Sequence, residues 1–147
     1  GITPAQLTIS ESPLYDFGTL TIGNSASYTF TVSNSGGTAA TGLSGAGLAA
    51  PFDFLGGSYP GAGGTCGIAI PAGGTCNIVL SYTPTTAATH TDTVIINYND
   101  GVVAQTATRN IQGAALTPAV LTINNGPTFD FGLQATGSVT SQSFTVN

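Results

Sequence analysis

Ionic charge is scarce in this sequence: Asp, Glu, Lys and Arg make up 5% of its 147 residues, against roughly 25% in ordinary soluble domains. Lysine, methionine and tryptophan are missing, Arg109 is the one permanent cation, and His90 is the one histidine. Each gap excludes something. One cation cannot neutralise a run of phosphates, so nucleic acid is excluded as a partner. Without lysine there is no Schiff-base amine and no Lys–Asn isopeptide crosslink. A lone histidine among six scattered acids supplies neither a ligand cluster for a metal nor a set of general bases, so no cofactor, no metal and no enzymatic activity are expected. No apolar run approaches the ~18 residues of a membrane span. The first residues lack a basic-then-apolar signal, so if the chain is exported its signal lies upstream. Leu, Glu, Lys and Arg are too few for a long helix. Disorder is excluded as well, because a net charge of -5 and 41% hydrophobic residues do not keep a chain open.

What the sequence has is alternation. Tyr28, Phe30 and Val32 alternate with Thr29, Thr31 and Ser33, which puts aromatic and branched side chains on one face of a strand over residues 25–34 and hydroxyls on the other. The same period of two runs through Cys76, Ile78, Leu80 and Tyr82, and again through Val94, Ile96 and Tyr98. The pair Asp100-Gly101 then predicts a tight hairpin turn, with the returning strand over 102–111. Shorter strands are expected at 7–10, 19–22, 52–55 and 67–70. Many short strands between Gly, Pro and Asn turns make an all-β antiparallel sandwich, whose surface is wetted by Thr and Ser hydroxyls instead of ions.

The two ends of the chain match each other. Residues 3–33 recur at 117–147 with an ungapped offset of 114 and fifteen identities in thirty-one pairs, among them Thr3-Pro4-Ala5 with Thr117-Pro118-Ala119 and Asp16-Phe17-Gly18 with Asp130-Phe131-Gly132. The chain is therefore expected to belong to a tandem array, with one complete repeat over 1–116 and the first strands of a second over 117–147. The residues 114–118 would form a short, Pro-restricted linker. Two fates stand open for the second segment: the start of a further domain in a longer chain, or strands donated to a neighbouring subunit. In either case its apolar positions Leu121, Ile123, Phe129, Phe131, Phe144 and Val146 form the inter-repeat or strand-donor face.

Cys66 and Cys76 close a duplicated Gly-Gly-Thr-Cys tetrapeptide ten residues apart. An even count in a chain with exported character predicts a disulfide; the spacing does not suit a redox Cys-x-x-Cys, and a metal would need two more soft ligands. His90 has no Gly-x-Ser-x-Gly nucleophile to serve and is expected as a loop histidine. Asp16 and Asp130, at equivalent places before Phe-Gly, are expected to bind turn amides. Arg109 is expected to pair with an acid or to stack on a tyrosine. Phe52, Phe54 and Tyr59 lie in a Gly- and Ala-rich stretch; they either fill the core or, with the loop around His90, present an interaction surface for a glycan or a protein.

The run Tyr15-Asp16-Phe17-Gly18, the Gly23 turn, the strand from Tyr28 to Gly36, Cys66, Cys76 and Ser81-Tyr82-Thr83-Pro84 resemble the bacterial choice-of-anchor D repeats, relatives of the ASH/MSP/Hydin immunoglobulin-like superfamily. The resemblance spans about residues 4–114 and restarts at Pro118; Thr85-Thr86-Ala87-Ala88 departs from the glycine that such repeats commonly carry there. It implies a seven-stranded immunoglobulin-like sandwich in large exported surface proteins, without enzymatic activity. The expected function is a structural module of an extracellular, cell-surface fibre, stalk or filament whose partners are adjacent repeats or neighbouring copies. The alternative is an adhesin module that binds a glycan or host protein.

Overall fold

The computed structural model describes residues 1–147. They divide into two compact units, Gly1–Thr117 and Pro118–Asn147.

The first unit is an immunoglobulin-like β-sandwich of nine strands: β1 (Leu7–Ile9), β2 (Leu14–Thr21), β3 (Ala26–Asn34), β4 (Ala40–Ala46), β5 (Phe52–Phe54), β6 (Ala69–Ile70), β7 (Thr75–Tyr82), β8 (Thr89–Asn99) and β9 (Ala104–Leu116). One sheet has the order β1-β3-β7-β5 and the other β2-β9-β8-β4-β6. Alternation drives the assembly. Phe30 lies opposite Ile78 and Val32 opposite Cys76 on the inner face of the first sheet, while Val94, Ile96, Ala107 and Ile111 line the inner face of the second. Phe30, Val32, Ile78, Leu80, Tyr82, Val94, Ile96 and Ile111 are fully buried. Burial of such side chains is worth about 1.5–3 kcal/mol each.

The strand count exceeds the seven implied by resemblance by two, one of which arises because the first strand is broken. Glu11 takes a left-handed φ of 64°, and the chain passes there from the first sheet to the second. Beyond that break β2 pairs parallel to β9, from Leu14 opposite Asn110 to Thr21 opposite Leu116; every other strand pair is antiparallel. Three further expectations are corrected. The β8–β9 hairpin closes through four residues, Asp100 to Val103, since Asn99 pairs with Ala104; Asp100 Oδ1 accepts the amides of both Val102 and Val103 at 2.8 Å, which favours the longer loop. Residues 114–116 are strand and not linker, held on β2 as far as the bond from Ile22 N to Leu116 O. The glycine-rich stretch after Ser35 contains β4, whose small residues admit neighbouring rings: a Cβ on Gly45 would stand 2.3 Å from the Phe54 ring.

The second unit carries a single bridge, Ile123 to Val146, bracketed by reciprocal backbone bonds between Thr122 and Asn147 at 2.9 Å. Phe129 packs edge-on against Phe131 and Phe144, with centroids 5.0 and 5.5 Å apart. Each feature has its counterpart 114 residues earlier. Ile9 pairs with Val32, and Tyr15 packs edge-on against Phe17 and Phe30 at 5.0 and 5.2 Å. The Asp130 carboxylate accepts the Gly132 amide as Asp16 accepts that of Gly18. Burial differs. Phe30 and Val32 are fully covered, whereas Phe144 is 44% and Val146 56% exposed.

Candidate functional site

The disulfide Cys66–Cys76 is formed, with Cα atoms 4.8 Å apart. Its position follows from the sheets it joins. Cys76 sits in β7 of the first sheet, and the loop that it closes contains β6, which pairs with β4 of the second. Asn77 O accepts the amides of Thr65 and Cys66 at the loop's base. The crosslink thus fixes a crossover between sheets, with Cys66 buried.

The aromatic patch is not a surface. Phe52 is 1% and Phe54 6% exposed, because both project inward from β5; Phe52 stacks on Tyr82 with centroids 4.8 Å apart. Tyr59 packs edge-on against Phe54 and donates its hydroxyl to Gly67 O at 2.9 Å; burial raises its pKa. Of the four residues proposed as an interaction surface, the core therefore takes two, and Tyr59 is tied to the disulfide loop.

His90 is the second residue of β8 and is not a free loop side chain. Its Nδ1 lies 2.8 Å from the Tyr82 hydroxyl and its Nε2 3.1 Å from Thr86 Oγ1. The Tyr82 phenol has a raised pKa, from burial first and the Asp16 charge second, so it remains a neutral hydroxyl. A hydrolytic triad needs a carboxylate on one imidazole nitrogen and a nucleophile on the other. Here two neutral hydroxyls occupy both. The side chain fastens the exit of Tyr82 from the core to the loop over 83–88. No group of three or more His, Cys, Asp or Glu gathers as a metal site, and His90 lines none of four surface grooves of about 310–480 Å³.

The polar side chain with the most hydrogen bonds is one the sequence did not single out. Asn34, 2% exposed, accepts the amides of Gln6 and Gly36 on Oδ1 and donates from Nδ2 to Thr38 O, Ile70 O and Pro71 O, between 2.8 and 3.2 Å. Its signal was an Asn closing a hydrophobic strand just before Ser35-Gly36-Gly37. Arg109 neither pairs with an acid nor stacks on a ring. It lies between the buried Ala107 and Ile111, on the sandwich-facing side of β9, and donates from Nε to Ser10 O at 2.8 Å and from its terminal nitrogen to Ile9 O at 2.5 Å. No helix is long and apolar enough to cross a membrane. The six positions of the second unit's candidate face, Leu121, Ile123, Phe129, Phe131, Phe144 and Val146, are all exposed.

A family model described as the HYDIN/CFA65/VesB-like, Ig-like domain matches residues 6–114. Among solved structures the chain is similar to the Vibrio cholerae VesB protease, at 16% identity and a TM-score of 0.58 over 76% of this chain and 32% of that one. It also resembles the ASH/PapD-like domain of human CEP192, at 14% identity and a TM-score of 0.56 over 80% and 89% of the two chains. A protein of unknown function from Porphyromonas gingivalis W83 aligns at 13% identity and a TM-score of 0.53 over 74% and 46%. At these identities the likeness is one of fold. This chain spans about a third of the VesB chain, and no curated protein matches it.

Proposed function

As the chain belongs to the HYDIN/CFA65/VesB-like Ig-like domain family, we propose that it is a non-catalytic structural module of an extracellular bacterial surface fibre, stalk or filament, built as a tandem array of sandwiches. One observation carries the proposal: residues 117–147 repeat both the sequence of residues 3–33 and their contacts, down to the Ile123–Val146 bridge and the Phe129 ring packing. Leu121, Ile123, Phe129, Phe131, Phe144 and Val146 are then the face of a second sandwich that further strands cover, and Thr117-Pro118 is the joint. The order of motifs from Tyr15 to Pro84 supports a place among choice-of-anchor D repeats, and the disulfide suits an oxidising exterior. A surface of hydroxyls with one arginine resists trypsin and packs without charge repulsion. An adhesin would need exposed aromatic anchors, and Phe52 and Phe54 do not supply them.

Immunogold electron microscopy of the source cells, with antibody raised on the purified chain, tests the proposal. Label along extended surface structures is expected; label confined to the cell interior refutes it. Sedimentation of the full chain separates the two ways of covering the second unit. Concentration-dependent head-to-tail polymers would assign those strands to a neighbouring copy, and a monomer would assign them to the array itself.

A further inference from the structure

An extended surface array transmits tension, and the connectivity of the first unit decides where tension acts. Traction at Gly1 first loads the hydrogen bonds that tie residues 3–7 to Asn34, Ser35, Gly37, Tyr98 and Asp100, and then β1, which three pairs hold to β3. It then reaches Ile9 and Ser10, turns at Glu11 and continues into β2. Traction at Thr117 enters through the far end of β9. Because β2 and β9 run parallel, these forces drive the two strands past each other along their common axis, and all their ladder bonds are loaded at once. An antiparallel pair pulled from adjacent ends would open one bond at a time.

Arg109 stands where the weak patch meets the strong one. Its guanidinium leaves β9, the strand pulled from the C-terminal side, and grips the carbonyls of Ile9, the last residue of β1, and of Ser10, which follows it. Two donors of one rigid fork bind two successive carbonyls, a geometry that a lysine cannot copy. We infer that Arg109 is a mechanical latch, which ties β1 directly to β9 so that β1 cannot peel from β3 before the parallel β2–β9 pair yields. It gives the only permanent cation of the chain a role that a uniformly hydroxylated surface does not otherwise require. The inference deepens the fibre proposal and rests on it for its biological purpose, though the latch itself is a property of the isolated chain.

Single-molecule extension of the full, disulfide-bonded chain, with handles at both ends, tests this. Opening of the second unit contributes a low-force gain of about 100 Å, from thirty residues at ~3.4 Å each. The native first unit is expected to open afterwards in a single large step. In Arg109→Gln a separate step of about 40 Å, the length of residues 1–12, is expected to precede it; the rate of that step at constant force is expected to exceed the native rate by at least about tenfold, as loss of one hydrogen bond to a charged donor implies, and by more if both are lost. Arg109→Lys should fall between the two. One-step opening of Arg109→Gln, with resistance lowered only in proportion to its stability in guanidinium, would overturn the latch. Should that variant not fold, the native chain with its N-terminal handle moved to the exposed turn at Asn24 provides the second test. There β2 is pulled from the same end as β9, and opening at a markedly lower force is expected; equal forces in the two geometries would refute the load path. Loss of surface label would remove the fibre but not the latch, and one-step opening would remove the latch but not the fibre.

Discussion

Replacing Asn34 by Ala removes five hydrogen bonds at one buried point. Oδ1 serves the amides of Gln6, ahead of β1, and of Gly36, in the β3–β4 loop; Nδ2 serves the carbonyls of Thr38, Ile70 and Pro71. An Ala leaves the Gln6 and Gly36 amides and the Thr38 and Ile70 carbonyls without this partner, while Pro71 O keeps the Gly74 amide. A buried unsatisfied polar group costs about 1–3 kcal/mol. The Ile70 contact is fully buried and the others part-buried; if water relieves all but about two of the stranded groups, the sum is about 3–5 kcal/mol, a large share of the 5–15 kcal/mol typical of a whole domain. For a unit of this size that corresponds to a fall in Tm of roughly 12–20 °C. Thermal and guanidinium unfolding followed by circular dichroism measures it. Asn34→Asp sharpens the test. It preserves shape and the two accepting contacts, but points a carboxylate at three carbonyls. Its loss should be greatest at neutral pH and shrink as acid protonates the side chain and restores one donor. A loss below about 1 kcal/mol in Asn34→Ala would show that the five short contacts do not hold this end of the sandwich together, and the reasoning would fail.

Other consequences follow from the same structure. Reduction of Cys66–Cys76, or its replacement by Ala in both positions, should cost ~2.7 kcal/mol from the freed ten-residue loop, read as a shift in the guanidinium midpoint at constant slope. Gly113→Ala places a Cβ 2.5–2.8 Å from the fully buried Tyr82 ring and should destabilise by about 1–3 kcal/mol, with near-ultraviolet circular dichroism reporting the displaced tyrosine. The amides of Val103 and Val102 hold the Asp100 carboxyl below the usual carboxylate range. Its stabilisation is therefore present above the unfolded pKa and is lost as pH falls through the lower folded one, so Asp100→Asn should be less stable than the native chain at pH 7 and equal to it in strong acid. Unfolding midpoints should move little between low and high sodium chloride, because no charged side chain relies on an opposite charge.

The alternation of Tyr28, Phe30 and Val32 with hydroxyls, and of Cys76 through Tyr82, was enough to place the central strands, since a period of two with one apolar face admits few other solutions. The cysteine pair was legible from spacing and context. Elements set by tertiary partners were not. Nothing local distinguishes the parallel β2–β9 pair, because direction depends on where the chain crosses between sheets, and that is decided at Glu11 by one left-handed residue. The Asp100-Gly101 signal matched a two-residue turn, but the Asp100 carboxylate satisfied two further amides and lengthened the loop. Phe52 and Phe54 illustrate the converse. Their spacing of two placed them on one face, yet a Gly-rich neighbourhood gave no indication of which face met the core.

The few charges in this protein act through hydrogen bonds to neutral groups. Asp16 holds the Gly18 amide and the Gln112 side chain, Asp53 the Phe54 amide, Asp92 the amides of Ala49 and Thr93, Asp130 the Gly132 amide, and Glu11 the Tyr28 hydroxyl. Asp100 closes its hairpin, and Arg109 spans two strands by backbone carbonyls alone. A charged group bound to a neutral partner forms a stronger hydrogen bond than two neutral groups do, without depending on ionic strength as an exposed ion pair does. Seven carboxylate and guanidinium side chains in 147 residues are therefore sufficient, because all but Glu11, which takes the Tyr28 hydroxyl, bind backbone groups at turns, strand ends or crossings. Everywhere else the outer faces of the sheets rely on threonine, serine and asparagine. Thr93 and Asn110, paired across β8 and β9 at 2.8 Å, show the pattern: a cross-strand hydrogen bond outside and a hydrophobic layer inside, with charge kept for the joints.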